Sequence, residues 1–304
     1  MDWLLQQLIN GLGLGSIYAL IALGYTMVYG VLRFINFAHS DILMLGAFAA
    51  LYLEPHVSRM LGGPQSILGA ILIAAVAAGL CALLGILIEF LAYRPLRQRP
   101  RLAVLITAIG VSLLIEFTAQ HEKVFSAKTQ FFPRLLPEHS FQLGQVYFSS
   151  TDLLVPAVTA TMLAAMWFIV QKTRTGTAMR AVSFNQQAAS LMGVNVNRII
   201  SFTFGLGSAL AAIAGILYAM KAPGIEPLMG VQPGLRAFIA AVLGGIGNLP
   251  GAVVGGLVLG ILETFLGGIP WLSSYRDGIA FAILILILLF KPAGLLGKAT
   301  VEKV

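Results

Sequence analysis

Runs of apolar residues long enough to cross a bilayer succeed one another through nearly the whole of this 304-residue chain, and no other feature restricts the fold as tightly. A helix needs about 20 apolar residues to traverse the hydrocarbon core. Residues 4–29, 67–91, 102–117, 153–170 and 199–220 reach or approach that length, whereas 37–53, 235–246, 252–266 and 279–290 are shorter or interrupted. Backbone polar groups cannot be left bare in lipid, so the shorter runs must be half-helices buried in protein, tilted spans or re-entrant pairs. The pattern predicts an all-α chain. It is read as a polytopic transmembrane helical bundle of about eight or nine spans, with broken or re-entrant segments, in a single domain covering residues 1–304.

Composition points the same way. Hydrophobic residues make up 58% of the chain and charged residues 10%, against about 45–50% and about 25% in soluble domains. The 33 glycines suit membrane helices that pack through small residues. The single cysteine, Cys81, sits inside an apolar run, so no intrachain disulfide is possible and a small core residue is expected. The opening MDWLL carries an acid where a secretory signal would be basic, so the first apolar run is expected to be retained.

The formal charge of +7 does not signal a nucleic-acid partner, because the cations occupy short loops between apolar runs. Excess Lys and Arg mark cytoplasmic loops. Arg33, the loop with Arg94, Arg97, Arg99 and Arg101, the loop with Lys172, Arg174, Arg180 and Arg198, and the tail with Lys291, Lys298 and Lys303 are therefore expected inside. The N-terminus, Arg59, the 121–150 loop, Lys221, Arg236 and Arg276 are expected outside. Trp3, Trp167 and Trp271 fall near run ends, where aromatic anchors sit.

A faint repeat runs through the chain. GLGS occurs at 13–16 and at 205–208, each followed by a break and then by an A-F-x-A stretch, at 47–50 and 237–240. Interrupted helices at matching positions of two halves flank the substrate site in many transporters. With a pair of ordinary interfacial turns as the alternative, the two breaks, 36–41 (NFAHSD) and 244–251 (GGIGNLPG), are candidates for the translocation path, at Asn36, His39, Ser40, Asp41, Gly247 and Asn248. Glu263, deeper in an apolar run, joins them; it is expected to pair with a cation of a partner subunit, with substrate-ammonium binding as the alternative. Glu89 and Glu116 lie near run ends and are expected to snorkel to the interface. The small-xxx-small pairs Gly251/Gly255 and Gly256/Gly260 are read as packing faces within one subunit.

No G-x-x-x-x-G-K-[ST] pattern occurs, so the chain cannot cradle nucleotide phosphates in a P-loop. His39, His56, His121 and His139 lack metal-ligand spacing, and no cofactor or metal is expected. The stretch 175–195, TGTAMRAVSFNQQAASLMGVN, reads as a short amphipathic helix over 177–192 on the cytoplasmic side. Ala178, Ala181, Val182, Ala188, Ala189 and Met192 form one stripe, with Asn185 inside it; Arg180, Ser183, Gln187 and Ser190 form another. Gly193 stands where a C′ residue would close the last turn. The small alanines, in place of bulky Leu or Trp, favour close docking against a cytoplasmic protein over the alternative, an interfacial helix lying on lipid.

The Arg180-Ala181 pair, Asn185, Ala188-Ala189 and Gly193, together with TFGLGSALAAIAGILYA, AAVLGGIGNLPGAVVGG, KPAGLLG and GYTMVYGVLRFINFAHSDILMLGAF, resemble the inner-membrane permeases of branched-chain amino-acid ABC importers. The likeness covers nearly the whole chain and is densest at 11–50 and 176–297. Two departures stand out: Ser40 where the family commonly has glycine, and Asn185 where it often has an acid. The resemblance implies one transmembrane permease domain with a cytoplasmic coupling helix at about 176–193, in which Gly176, Arg180, Ala181, Asn185, Ala188, Ala189 and Gly193 meet the ATPase. It implies a second related permease subunit, two cytoplasmic ATP-binding subunits and an external solute-binding protein as partners, with membrane lipid around the spans. The chain is then a transport subunit of the bacterial inner membrane and not an enzyme. Read from the residues alone, an ion-coupled secondary transporter or channel is the alternative, and an intramembrane enzyme is disfavoured because no nucleophile and base stand at usable spacing.

Overall fold

The structure, a computed structural model, describes residues 2–34, 36–97, 99–291 and 293–297, apart from the side chain of Arg101. Lys298 and Lys303 of the predicted basic tail lie outside the described residues. The helices are α1 (Asp2–Leu32), α2 (His39–Met60), α3 (Ile67–Ile88), α4 (Arg101–Gln120), α5 (Ser150–Lys172), α6 (Arg174–Phe184), α7 (Gln186–Leu191), α8 (Val196–Lys221), α9 (Val231–Gly244), α10 (Leu249–Gly267) and α11 (Arg276–Phe290). A π-helical turn, Glu89–Tyr93, and a 3-10 turn, Arg94–Leu96, prolong α3.

Seven of these helical stretches are long and apolar enough to cross a membrane, so the chain is a multi-pass membrane protein. Of the other four, α6 and α7 are short helices of 11 and 6 residues, and two helices fall short for different reasons. Helix α2 has 22 residues but carries Asp41, Glu54 and Arg59, and α9 has only 14. They answer to two of the four runs expected to be short or interrupted, 37–53 and 235–246; the other two, 252–266 and 279–290, fall in stretches long enough to span.

Helices α1 and α8 run through the centre and are the most buried of the spans, while α4, α5 and α11 present most of their surface outward. Glycine explains the central seam. A Cβ on Gly11 would lie 2.7 Å from the Ile261 Cα, one on Gly15 2.8 Å from the Leu257 Cα, and one on Gly256 2.5 Å from the Ala19 Cα. In lipid, where apolar burial drives little association, such backbone proximity supplies the dispersion energy that holds helices together. Gly251 and Gly255 pack in the same way on Gly244 and Ala240 of α9, so both small-residue faces are used within the chain.

The faint repeat is an inverted one. Gly13 of α1 lies beside Lys221 and Gly24 beside Gly207, so α1 and α8 run antiparallel. Helix α1 packs on α10 and α9, while α8 packs on α3 and α2, each pairing the counterpart of the other. Units α1–α2–α3 and α8–α9–α10 thus exchange their third helices across the centre, the arrangement of inverted-topology transporter repeats.

One end of the bundle gathers Arg33, the 94–97 turn, the α5–α8 connection and the chain after α11. The other holds the N-terminus, the 121–150 loop and the 222–230 loop. There Gln6 exchanges two 2.8 Å hydrogen bonds with the Tyr147 backbone, and Lys221 pairs with Asp152 at 2.9 Å. Short strands tie this end together: β1 (Gln130–Phe131) pairs with β4 (Gly224–Ile225), and β2 (Ser140–Leu143) forms a hairpin with β3 (Val146–Ser149). Arg236 departs from its expected place in an outer loop. It lies within α9, where a buried acid holds it.

Candidate translocation and coupling site

The first break turns the chain back into the bundle. Arg33 takes φ +57 after the end of α1, and the following residues climb until His39 opens α2 against Gly24. Gly24 stands eight residues before Leu32, so α2 begins about 12 Å inside the membrane end of α1. Asn36 is buried and accepts a 2.6 Å hydrogen bond from Tyr93 Oη. The His39 ring packs on Tyr25 with centroids 4.7 Å apart, and its buried Nε2 has no partner among the described residues. Ser40 Oγ donates to the Phe37 carbonyl at 2.9 Å, and Ser112 donates to Asp41 at 2.5 Å. Glu116, one turn along α4 from Ser112, faces the same carboxylate and does not snorkel away from it.

The start of α9 meets this point head-on. A Cβ on Gly230 would lie 2.9 Å from the Ser40 carbonyl carbon, and one on Gly234 3.2 Å from Ser40 Oγ. Neither N-cap, Ala38 of α2 nor Gly230 of α9, supplies a side-chain cap. Two helix N-termini, each with first-turn N–H groups that lack an intrahelical acceptor, therefore converge at mid-depth.

The second break lies elsewhere. Gly245 and Gly247 take φ +105 and +94, a conformation that only glycine enters without strain, and Asn248 caps α10 while donating to the Leu296 carbonyl at 2.7 Å. Gly247 abuts Gly30 at the cation-rich end. Asn36, His39, Ser40 and Asp41 are thus brought together, and Gly247 and Asn248 sit a level away. Glu263 joins neither group. Its carboxylate is 2.6 Å from Arg236 and accepts from Tyr18 Oη at 2.8 Å, while Arg236 also reaches Asp277 at 2.6 Å. Its cation belongs to its own chain and not to a partner subunit, because α9, α1 and α10 converge there.

The stretch expected to be a single coupling helix is two helices and not one. Asn185 adopts an extended backbone, ends α6 and caps α7 by accepting from Ala188 N at 2.9 Å. An Asn inside a helical stripe competes for the backbone in this way. The predicted stripe is split: Val182 and Ala189 are buried within the chain beside Gly176 and Met179, Ala178 and Ala181 are half-buried, and Ala188 and Met192 are exposed. The large apolar side chains that project are Phe184, Leu191 and Met192, at 89%, 89% and 84% exposure. Gly193, at φ +83, closes α7 as expected. Arg180 donates to the Val170 carbonyl at the end of α5, and Ser183 Oγ to the Gly30 carbonyl at the end of α1. A cavity of about 90 Å³ separates these contacts from Gly247 and is lined by Thr26, Gly30, Val170, Met179, Arg180 and Leu249 among others.

A family described as the permease component of branched-chain amino acid transport systems matches residues 7–288. The chain belongs to this family. It is 42% identical to the high-affinity branched-chain amino acid transport system permease protein BraD of Pseudomonas aeruginosa, over 99% of this chain and 98% of that one. Identity to the corresponding permease LivH of Escherichia coli K12 is 39%, with the same coverage. The ribose import permease RbsC of Haemophilus influenzae is 33% identical over 132 residues, 41% of each chain. No solved structure matches.

In a permease of this family the intramembrane charges need an account, and burial supplies it. Glu89, expected at the lipid interface, is fully buried, ion-paired with Arg97 and accepting from Ser201 Oγ at 2.6 Å, with Arg94 3.9 Å away. Two of the buried acids, Glu89 and Glu263, lie toward opposite ends and each has an arginine, whereas Asp41 is held by Ser112 and faces Glu116. Sequence reading missed Gly230, Gly234 and Arg236. The G-x-x-x-G spacing of the two glycines was a visible sign of close backbone approach.

Proposed function

We propose that this permease conducts branched-chain amino acids across the bacterial inner membrane within an ATP-driven importer. Its complex comprises a second related permease, two ATP-binding subunits at the cation-rich, cytoplasmic end and a solute-binding protein at the other end. The observation that carries this reading is the near full-length identity to BraD and LivH. The wider kinship to a ribose permease indicates that the scaffold alone does not choose the solute.

The geometry supports a mechanical route. Phe184, Leu191 and Met192 offer an ATPase three bulky apolar anchors. A displacement of α6 reaches α1 through Ser183 and Gly30, and Gly30 abuts Gly247, the turn that ends α9. The opposite end of α9 seals against Ser40, so tilting α9 opens the junction at mid-depth. The solute then passes the paired N-termini, whose positive ends suit a carboxylate.

The test is reconstitution. The purified permease is expected to bring two ATP-binding chains with it, and proteoliposomes are expected to accumulate labelled leucine only with ATP and receptor. Uptake driven by an ion gradient without ATP, with no ATPase copurifying, would refute the reading in favour of a secondary transporter.

A further inference from the structure

At the cation-rich end a cavity of about 580 Å³ opens between the 94–99 turn, the first residue of α7 and the start of α8. Arg94, Arg97, Arg99, Gln186 and Asn197 line it. Specific small-ligand sites occupy about 300–1,000 Å³, so the space suffices for a polar headgroup. Of the three arginines that line it, Arg97 pairs with the carboxylate of Glu89 and Arg94 stands 3.9 Å from it, so one negative charge sits behind three positive ones. Arg97 donates to Asn197 Oδ1 at 2.7 Å, but the Nε atoms of Arg94 and Arg97 are buried without a partner among the described residues. Buried unsatisfied donors on a cation are costly and invite an oxygen ligand.

Apolar surface begins next to the cavity, at Phe90 beneath the lining residue Arg94. The cavity lies where the span Ile67–Leu96 turns into Leu102–Gln120, two of the stretches that present most of their surface outward. Phe90, Leu91 and Leu102 beside it are exposed, and the Arg94 guanidinium stands 5.1 Å above the Phe90 ring. Basic pockets at the cytoplasmic ends of membrane helices suit anionic headgroups, and guanidinium forks match phosphate geometry. We propose that this cavity is a binding site for an anionic phospholipid of the adjoining leaflet, its phosphodiester held by Arg94 and Arg99 and its acyl chains lying along Phe90, Leu91 and Leu102. A lipid fits better than a partner protein because the charged cavity adjoins that lipid-facing surface, whereas the apolar anchors for a partner point out from α6 and α7. Gln186 opens α7, so a bound headgroup also steadies the coupling element.

Native mass spectrometry of the purified permease, with whatever subunits accompany it, tests the site. Phosphatidylglycerol and, separately, zwitterionic phosphatidylcholine are titrated against wild type, Arg99→Gln, Arg94→Gln/Arg99→Gln and Arg174→Gln. Arg97 is left in place because it neutralises Glu89, and Arg174 controls for cationic charge at the same end away from the cavity. Wild type should prefer phosphatidylglycerol. Each lost arginine should weaken that binding about fivefold, the double change about 25-fold, and Arg174→Gln should match wild type. Equal phosphatidylglycerol binding in all four proteins overturns the proposal. Displacement by millimolar inorganic phosphate overturns it in favour of a free-anion site, and loss of an accompanying subunit from Arg99→Gln with lipid binding intact overturns it in favour of a protein contact. If the double variant does not assemble, the single Arg99→Gln decides, since its side chain makes no hydrogen bond among the described residues.

Discussion

The two inverted halves solve the same problem with opposite means. Each breaks a span and starts a helix at mid-depth, but the first half brings polar groups to the junction, Asn36, His39, Ser40 and Asp41, while the second brings Gly230 and Gly234 and no side chain at all. One half supplies the surface and the other the room for it. They also differ in how they are anchored: α9 is tied by an ion pair, Arg236 to Glu263, whereas α2 is held by a hydrogen bond from Ser112 to Asp41 and the break before it by one from Tyr93 to Asn36. The lesson is that the shorter helix, α9, can seal the junction without side chains only because a charge fixes its position.

The largest break in this comparison should come from Arg236→Ala. It leaves Glu263, which is buried, with Tyr18 alone, and stranding one member of a buried pair costs about 3–5 kcal/mol; the partial exposure of Arg236 puts the expectation at the lower end. The thermal midpoint in detergent should fall and assembly should fail, and a midpoint equal to wild type would show that α9 is held by something else. Next is Leu191→Arg combined with Phe184→Arg. This change leaves both halves untouched and should cut ATP-driven uptake at least tenfold, corresponding to about 1.4 kcal/mol or more of lost docking. Fold stability should not change, and normal ATPase copurification would end the docking assignment. Ala189→Arg is instead expected to destabilise the permease itself, because Ala189 is buried within it.

Gly234→Ala sharpens the point about room. Its methyl group collides with Ser40, and overpacking of this kind costs about 1–3 kcal/mol. The double variant Gly234→Ala/Ser40→Gly should recover both thermal midpoint and uptake. No recovery in the double variant would mean that the two residues are not the opposing faces of one seal. The smallest effect is expected of Asp41→Asn, which keeps an acceptor for Ser112; losing only the charge of that hydrogen bond is worth about 1 kcal/mol, so leucine uptake should stay within a few-fold of wild type. A complete loss of uptake with normal assembly would instead make Asp41 a direct participant in transport.

What the sequence by itself determined is local or set by the solvent. The spans follow from the length of apolar runs, the two breaks from glycine and polar residues at membrane depth, the closing turn of α7 from Gly193, and the segregation of charge to one end from loop composition. Each depends on a residue and its immediate neighbours, or on the bilayer acting alike on every segment. Family membership too was legible, because it rests on the residues themselves. What only the tertiary structure decided is which distant groups meet. Glu263 finds Arg236, Glu89 turns inward to Arg97 and Ser201, and Val182 and Ala189 of the stripe turn into the chain's own core while Ala188 and Met192 stay exposed. Helices in a bilayer are not sorted by hydrophobicity, since lipid is as apolar as they are; they are sorted by how closely their backbones can approach. The approaches at Gly15, Gly256 and Gly234 exist only once both helices are in place, so no single stretch of sequence carries them.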